Sequence, residues 1–340
     1  MELKNGYKQT EIGVIPSDWE VKLLCQLGEN IIGLTYSPNN VSEYGHLVLR
    51  SSNIQDNKLA FKNNVFVDMD LPNRVIVKEN DILICVRNGS KQLIGKCALI
   101  DKQTEGSAFG AFMSVYRTEY SSYIFHQFQS NIIHKQIEEV MGATINQLTN
   151  KDLATFQIPF PPTKLEQNAI STSLSDADAL IYNFEKLIEK KKNIKQGVIH
   201  RLLKPQKDWV VKKVQDIAVI GRGRVISHKE IALSLQNTYP VYSSQTTNDG
   251  IMGFIDKYDF DGEYITWTTD GENAGTVFYR DGKFNCTNVC GTIKLKSENA
   301  RFISYLLNSV TPLYVSKNLA NPKLMNDVMK KIEIAIPDIK

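Results

Sequence analysis

The residues that could catalyse a reaction or hold a metal are scattered along this chain. Cys286 and Cys290 are spaced as a metal-binding pair could be, but no second Cys or His pair follows them. The cysteines are odd in number and lie in apolar segments, which favours buried, reduced thiols over a disulfide framework or a zinc site. The histidines are far apart in sequence, and none lies in a triad or metal motif. The sequence therefore predicts neither a metal centre nor a catalytic triad.

Signatures of nucleotide-using and nucleic-acid-cutting enzymes are also missing. Gly221-Arg222-Gly223-Arg224 resembles a phosphate-binding loop but matches neither the Walker pattern nor the dinucleotide pattern. Glu189 could join a nuclease-like acidic pair, but lysines follow it and no strand-borne Asp is placed to share a metal. Pro161-Pro162 is the only Pro-Pro pair, and Phe160 precedes it, where an amino-group methyltransferase loop would need Asn or Asp. We therefore expect a chain without its own active site.

Length and composition predict two folded units. At 340 residues and 42% hydrophobic content, the chain is too long for one ordinary domain and rich enough to bury real cores. The net charge of +3 by itself identifies neither a nucleic-acid binder nor any other charged-partner class. No apolar run approaches the ~20 residues that span a bilayer, and residues 1–15 carry charges instead of a signal-peptide stretch. We expect a cytoplasmic protein that does not enter a membrane.

The chain contains an internal repeat, which sets the architecture in which its motifs must be read. Asp18-Trp19-Glu20-Val21-Lys22 recurs as Asp208-Trp209-Val210-Val211-Lys212, a displacement of 190 positions. The closing motif Leu148-Thr149-Asn150 is echoed by Leu324-Met325-Asn326. We therefore predict two copies of one module.

The pattern within each copy is mixed. Residues 82–85 and 264–267 are apolar runs that end in Asn-Gly and Asp-Gly, which predicts a buried strand followed by a tight turn. Alternation over 62–68 and 275–280 also predicts strands, and apolar residues at helical spacing predict helices over 123–140 and 301–310. The predicted fold class is α+β, with tandem β-rich domains at 1–160 and 207–340 separated by a helical segment at 161–206.

That helical segment is the clearest element of the sequence. Thr163-Lys164-Leu165-Glu166 is a capping box, and no proline follows until Pro205, so we expect about 40 helical residues and a length of about 60 Å. Steps of four and three residues predict a coiled-coil seam, which either pairs with another helix or packs on the chain's own domains. The seam residues are Ile170, Leu174, Ala177, Ile181, Phe184 and Ile188.

This organisation resembles the specificity subunit of type I restriction-modification systems. The order of domain, long helix and second domain carries the resemblance, together with three short passages. They are Thr10 to Pro16 with Trp19, the run from Ile158 through Leu165-Glu166-Gln167, and Lys195-Gln196-Gly197 leading to Leu203.

The resemblance implies two target recognition domains, each reading one half of a split double-stranded DNA site. It also implies a complex with methyltransferase subunits that modify adenine and with motor-nuclease subunits that cut unmodified DNA. S-adenosylmethionine, ATP and Mg would then belong to those partners, and this chain would bind no cofactor. The family pattern has a second long helix after the second domain, which this sequence does not include.

Direct readout of bases needs side chains presented by loops on a rigid core, typically Arg or Lys for guanine and Asn or Gln for adenine. Both halves contain polar segments after apolar runs, and ordinary polar turns are the alternative interpretation. The candidate DNA-binding residues are Arg50, Ser52, Asn53, Arg87, Asn88, Ser90 and Lys91 in the first half, and Arg222, Arg224, Ser243, Ser244, Gln245, Thr268 and Asn273 in the second. The rival hypothesis is a non-catalytic protein-interaction scaffold that does not bind DNA.

We predict that the isolated chain self-associates or depends on a partner for solubility, because its helical seam has no covering helix in this sequence. Light scattering of the purified chain over a concentration series should show mass above that of a monomer. A clean, soluble monomer throughout the series would contradict the prediction.

Overall fold

The computed structural model describes residues 5–141, 146–316 and 321–338. The chain divides into two compact units, residues 1–185 and 186–340, which are described separately below as the first and second half. Both mix helices and strands, which confirms the predicted α+β class. No helix in these described ranges is long and apolar enough to cross a membrane.

The first half is built around a four-stranded antiparallel sheet in the order β11 (Cys97–Leu99), β10 (Ile82–Cys85), β13 (Met113–Thr118) and β4 (Gly28–Ile32). Shorter strands form a second layer, and three helices follow β13 along the chain. The strands are β1 (Tyr7–Thr10), β2 (Gly13–Pro16), β3 (Glu20–Leu23), β4 (Gly28–Ile32), β5 (Val41–Ser42), β6 (His46–Leu49), β7 (Ile54–Gln55), β8 (Lys58–Leu59), β9 (Phe66–Val67), β10 (Ile82–Cys85), β11 (Cys97–Leu99), β12 (Ala108–Phe109), β13 (Met113–Thr118) and β14 (Gln157–Phe160). The helices are α1 (Ser121–Phe128), α2 (Asn131–Val140) and α3 (Asn150–Thr155).

Strand β10 explains why this sheet is central. Its four residues are all buried, because successive side chains point to opposite faces and both faces are covered. Ile82 and Ile84 pack with the helices in one core cluster, while Leu83 and Cys85 pack with the short strands in another. The apolar run that the sequence presents at 82–85 is therefore a strand buried on both sides.

The second half repeats this plan. Its four-stranded sheet has the order β20 (Val277–Arg280), β19 (Tyr264–Thr268), β22 (Cys290–Leu295) and β16 (Ala218–Arg222). Each strand therefore has a counterpart at the same place in the first sheet. The strands are β15 (Trp209–Lys213), β16 (Ala218–Arg222), β17 (Tyr239–Tyr242), β18 (Ile251–Ile255), β19 (Tyr264–Thr268), β20 (Val277–Arg280), β21 (Asn285–Cys286), β22 (Cys290–Leu295) and β23 (Glu333–Pro337). The helices are α5 (Val214–Ile217), α6 (His228–Ala232), α7 (Ala300–Val310) and α8 (Asn326–Lys331).

The repeated motifs form equivalent strands and hydrogen bonds in the two halves. The opening motif forms β3 and β15, which pair antiparallel with the closing strands β14 and β23. In the closing motif, the Asn150 amide donates to the carbonyl of Asn30 at 3.0 Å, and the Asn326 amide donates to the carbonyl of Gly221 at 3.0 Å. Each asparagine therefore ties the start of its helix to the first strand of its sheet, which confirms the sequence repeat as a structural one.

Helix α4 (Lys164–Leu202) is continuous over 39 residues. The Thr163 hydroxyl accepts from the Glu166 amide as predicted, but the Glu166 carboxylate accepts from the Trp19 indole at 3.0 Å instead of serving the reciprocal half of the capping box. Gln167 and Ser171 are buried against the first half. The tertiary contact with Trp19 thus replaces a local contact within the helix terminus.

Two local predictions differ from the structure. The helical pattern over 123–140 is divided into α1 and α2, because Ser130 lies between them and its hydroxyl accepts from the Ile133 amide as a new N-cap. The strand predicted over 62–68 contains regular structure only at Phe66–Val67. The helix over 301–310 and the strand over 275–280 are confirmed as α7 and β20.

We predict that Gly33→Ala and Gly223→Ala each lower the free energy of unfolding by about 1–3 kcal/mol, the usual range for overpacking. An added Cβ would lie 2.1 Å from the Gly110 carbonyl oxygen in the first case and 2.3 Å from the Cys286 carbonyl oxygen in the second, and both neighbours are main chain. Urea denaturation measures the change.

Gly197→Ala is the matched control, because its Cβ meets nothing within 4 Å and alanine has the higher helix propensity. Equal stability of Gly33→Ala and the unmodified chain would contradict the inferred close approach.

Candidate nucleic-acid interface

Three turns meet at one end of the first sheet. One turn follows β6, one follows β10 and one precedes β13. We call their exposed side the first face and define it by Arg50, Ser51, Arg87, Asn88 and Phe112. The Asn88 amide donates to the Ser51 hydroxyl at 3.0 Å, and the Arg87 main-chain amide donates to the Phe112 carbonyl at 3.1 Å. The polar segments that the sequence places about 35 positions apart therefore form one surface.

The guanidinium of Arg87 is held over an aromatic ring. Its central carbon lies 5.1 Å from the centre of the Phe112 ring, and Phe112 itself is 57% exposed. Such cation–π contact orients a donor without occupying its N–H groups. Arg50 is exposed beside this pair and borders a cavity of about 510 Å³ lined also by Tyr36, Ser51 and Phe112.

Phe112 and Tyr36 were not predicted to belong to a site. Tyr36 lies in a short polar segment, and Phe112 follows Gly110-Ala111, so neither aromatic residue belongs to a periodic pattern. An aromatic residue just before a buried strand is the one sequence feature that could have indicated Phe112.

The other candidates of the first half have different environments. Ser90 and Lys91 are exposed, and the Lys91 ammonium donates to the carbonyl of Met141 at 3.4 Å. Ser52 is half-buried. These residues border the first face without forming its centre.

Asn53 is fully buried, so its predicted contact with a base is not available in this structure. Its side-chain oxygen accepts from the Arg50 amide at 3.0 Å, and its side-chain nitrogen donates to the Ala60 carbonyl at 2.9 Å and to Asn64 at 3.1 Å. Asn53 organises the loop that presents Arg50. The sequence could not distinguish a polar residue inside a loop from one on its surface.

The corresponding end of the second half carries what we call the second face, defined by Arg222, Ser243, Ser244, Gln245 and Asp270. The Arg222 guanidinium donates to the carbonyl of Asn288 and, at 3.3 Å, to the Thr269 hydroxyl, while the residue stays exposed. Gln245 is exposed, and Ser243 and Ser244 are half-buried.

Thr268 and Arg224 do not join this face as predicted. Thr268 is 1% exposed, because the last residue of β19 lies inside the sheet. Arg224 forms ion pairs with Glu230 at 2.6 Å and Asp259 at 2.9 Å, and the hydrogen bonds that its guanidinium donates to these two carboxylates raise its pKa. Its charge is therefore compensated by neighbouring carboxylates of the same half. Asn273 is exposed on the turn between β19 and β20.

Matching main-chain hydrogen bonds define equivalent positions on the two faces. Leu148 donates to the Val86 carbonyl and Leu324 to the Thr269 carbonyl, both at 2.8 Å, so Arg87 and Asp270 are equivalent. Isolated bridges from Arg87 to Gln147 and from Asp270 to Lys323 repeat the correspondence.

A second pair of bonds extends this equivalence. Gly110 donates to Leu49 and Thr287 to Tyr242, both at 2.9 Å, which makes Arg50 equivalent to Ser243. The first face thus has guanidinium donors where the second face has a hydroxyl and a carboxylate. Two faces of one architecture therefore offer different hydrogen-bonding chemistry.

The Cys286 and Cys290 side chains do not form an accessible metal pair. Both are buried, and desolvation raises the pKa of Cys290 to about 11 and that of Cys286 well above its usual value. Both thiols pack in an apolar cluster with Phe284, which is the environment expected for buried, reduced cysteines. Within the residues that the structure describes, no group of three His, Cys, Asp or Glu side chains is placed to hold a metal ion.

Helix α4 leaves most of its predicted seam in solvent. Ile170 is half-buried against the core of the first half, while Leu174, Ile181, Phe184 and Ile188 are each 43–57% exposed. Ala177 is exposed as well. The seam residues from Leu174 to Ile188 thus keep about half of their surface exposed in the part of the chain that the structure describes.

Comparison with known proteins identifies a family. The model of the type I restriction modification DNA specificity domain matches residues 16–196 and 206–340. The putative type I specificity subunit S.MpnORF365P of Mycoplasma pneumoniae is 37% identical over 209 residues, which cover 58% of this chain and 76% of that protein. The type I restriction enzyme MpnII specificity subunit of the same organism is 46% identical over 130 residues, or 38% of this chain and 39% of that protein.

A solved structure shows the same fold. The S subunit of a type I restriction-modification system from M. genitalium has a TM-score of 0.67 to this chain at 17% sequence identity. The match covers 99% of this chain and 87% of that one.

We predict that Asn53→Ala lowers the free energy of unfolding by about 1–3 kcal/mol, since it leaves buried main-chain groups of the loop without their partner. Asn88→Ala removes bonds to the half-buried Ser51 hydroxyl and to the amide of the exposed Ser90, and it should cost less because water can reach these groups. Urea denaturation of both variants gives the comparison, and an equal or larger loss for Asn88→Ala would contradict the structural role of Asn53.

Proposed function

Because the chain belongs to the type I restriction-modification DNA specificity family, we propose that it is the subunit that reads DNA for such a complex, with each half reading one part of a bipartite site. The observation that carries this proposal is the pair of equivalent faces at the same end of two repeated sheets. Repetition supplies two readers, and the different side chains on the two faces favour two different half-sites.

The chemistry of the faces fits base-edge recognition. Guanidinium groups pair with the two acceptors of guanine, side-chain amides pair with adenine, and carboxylates accept from the amino group of cytosine. The first face offers Arg50 and Arg87, and the second offers Arg222, Gln245 and Asp270. Because the turns are tied together by main-chain hydrogen bonds, these groups are held in place before DNA arrives.

The distribution of charged residues along the chain supports a role for partner subunits in DNA binding. The segment from Thr163 to Lys207 holds nine basic and five acidic residues, whereas the rest of the chain holds 31 basic and 32 acidic ones. Phosphate contacts supply much of the affinity for DNA, and the chain outside this segment has no net excess of positive charge to attract phosphates. We propose that methyltransferase subunits supply most of the contacts to DNA phosphates and that this chain recognises the base sequence.

The reactions would then be performed elsewhere in the complex. Methyltransferase subunits would modify adenine with S-adenosylmethionine, and motor-nuclease subunits would use ATP and Mg to cut unmodified DNA. This chain would contribute no reacting group and act in the cytoplasm, where that DNA lies. The exposed stripe of α4 supports a helical contact, either with a methyltransferase subunit or with a second copy of this chain.

We predict that Arg87→Ala changes the preferred bases in one half of the methylated sequence and leaves the other half unchanged. A lost bidentate contact to guanine reduces discrimination at that base by about 1–3 kcal/mol. Sequencing that detects methylated adenines, in DNA from cells carrying the chain and its methyltransferase subunits, measures both halves at once.

Arg301→Ala is the matched control. Arg301 is also exposed and also stacked on an aromatic ring, with 4.8 Å to the centre of Tyr279, but it lies on α7 outside the second face. It should leave the sequence unchanged. A uniform loss of methylation with Arg87→Ala would make Arg87 a phosphate contact or a structural residue. If the complex with its methyltransferase subunits showed no salt-dependent binding to duplex DNA, the scaffold hypothesis would be favoured instead.

A further inference from the structure

The loop that presents Arg50 is held from beneath by a cation. The Lys96 ammonium donates to the carbonyl oxygens of Ser51 and Ile54, the latter at 2.9 Å. Lys96 is half-buried and immediately precedes β11, the edge strand of the first sheet. A side chain from the sheet therefore fixes the main chain of a loop on the first face.

The second half uses another cation for the same task. Arg280 is only 7% exposed and lies at the end of β20, the strand equivalent to β11. Its guanidinium donates to the carbonyl of Asp249 at 2.7 Å and to the Thr266 hydroxyl at 3.2 Å. Asp249 belongs to the loop that follows Ser243, Ser244 and Gln245 on the second face.

Two aromatic rings lie close to this guanidinium. Its central carbon lies 3.6 Å from the centre of the Tyr242 ring and 4.5 Å from that of Phe278. Desolvation by burial lowers the pKa of Arg280, so the protein stabilises a charge that is unfavourable at this place. Ring faces and carbonyl oxygens compensate that cost.

The loop needs such a partner because its main chain is strained. Asn248 and Asp249 have φ of 51° and 50°, a region that residues other than glycine occupy rarely. Gly250 follows with φ of 81°, and a Cβ there would lie 3.2 Å from the Arg280 guanidinium. The bond from Arg280 to the Asp249 carbonyl therefore holds the strained turn directly.

Lys96 and Arg280 are not repeats of each other in sequence. Gly95 and Gly275 are equivalent, since they donate to the equivalent carbonyls of Cys85 and Thr268, so Lys96 corresponds to Thr276. In both halves a cationic side chain at the edge strand donates to carbonyl oxygens of a loop, but the two cations come from positions that are not equivalent. A general requirement of the fold would be expected to use one position in both halves.

We propose that Lys96 and Arg280 are positioning residues for base readout, each fixing the reading loop of its own half and determining the specificity of its own half-site. The proposal rests on the proposed function, because it assigns these residues to the same DNA-reading faces. Neither residue contacts DNA in this scheme. Each acts through the loop carbonyls that it holds, at Ser51 and Ile54 or at Asp249.

The test uses the full chain with its methyltransferase subunits and maps methylated adenines in cellular DNA. Lys96→Met should reduce discrimination about tenfold at one or more bases of the first half-site and leave the second unchanged. Arg280→Met should do the reverse. Each variant is the control for the other, since a merely structural defect lowers methylation at every site without changing either half of the sequence.

Conservative variants keep the proposal falsifiable if Arg280→Met does not fold. Lys96→Arg retains a donor for the loop carbonyls and should restore the first half-site. Arg280→Lys retains the charge but has a single nitrogen in place of the guanidinium that bonds both Asp249 and Thr266. It should reduce base discrimination in the second half-site by less than Arg280→Met does. If Arg280→Met does not fold, a measurable loss of discrimination in Arg280→Lys is itself the expected result.

Unchanged sequence preferences in Lys96→Met and Arg280→Lys, or equal changes in both half-sites, would overturn the inference. A wild-type complex that methylates no split site would instead overturn the proposed function. The two failures are therefore distinguished in one experiment.

Discussion

In each half, main-chain hydrogen bonds hold the end of one strand against the turn that begins the next. Gly110 donates to Leu49 in the first half and Thr287 donates to Tyr242 in the second. Gly33 and Gly223 lie against the same turns, where no side chain would fit. This close approach places the loops that begin at Arg50 and Ser243 beside turns that are distant in sequence, and the two faces depend on it.

The same framework supports different chemistry in the two halves. In the first, the face of the sheet below the loops is apolar, with Leu83 and Cys85 packed among short strands. In the second, that face carries Thr266 and Thr268, and a buried arginine lies over it. Because this face of the second sheet is polar, the second half can hold its loop with the Arg280 guanidinium. The first half, where the same face is apolar, uses Lys96 at the edge of the sheet and the buried Asn53.

Helix α4 obeys a separate constraint. Its first turns are fixed to the first half by Trp19, Gln167 and Ser171, but the apolar stripe beyond them stays in solvent. A helix whose apolar side is not consumed by its own fold is suited to association with another helix. The stripe and the two faces share no residues, so the proposed helical contact and the proposed DNA contacts would use different side chains.

The sequence by itself determined the repeat, the α+β class, the long helix and its seam, because these depend on periodicity and on motifs that recur at a fixed displacement. It also indicated Arg50, Arg87 and Arg222 as exposed polar residues after apolar runs. Tertiary structure alone decided that Asn53 and Thr268 are interior, that Arg224 is neutralised by Glu230 and Asp259, and that Phe112 supports Arg87. The physical reason is that burial and pairing depend on residues brought together from distant positions, such as Arg280 and Asp249, whereas periodicity is a property of neighbouring residues alone.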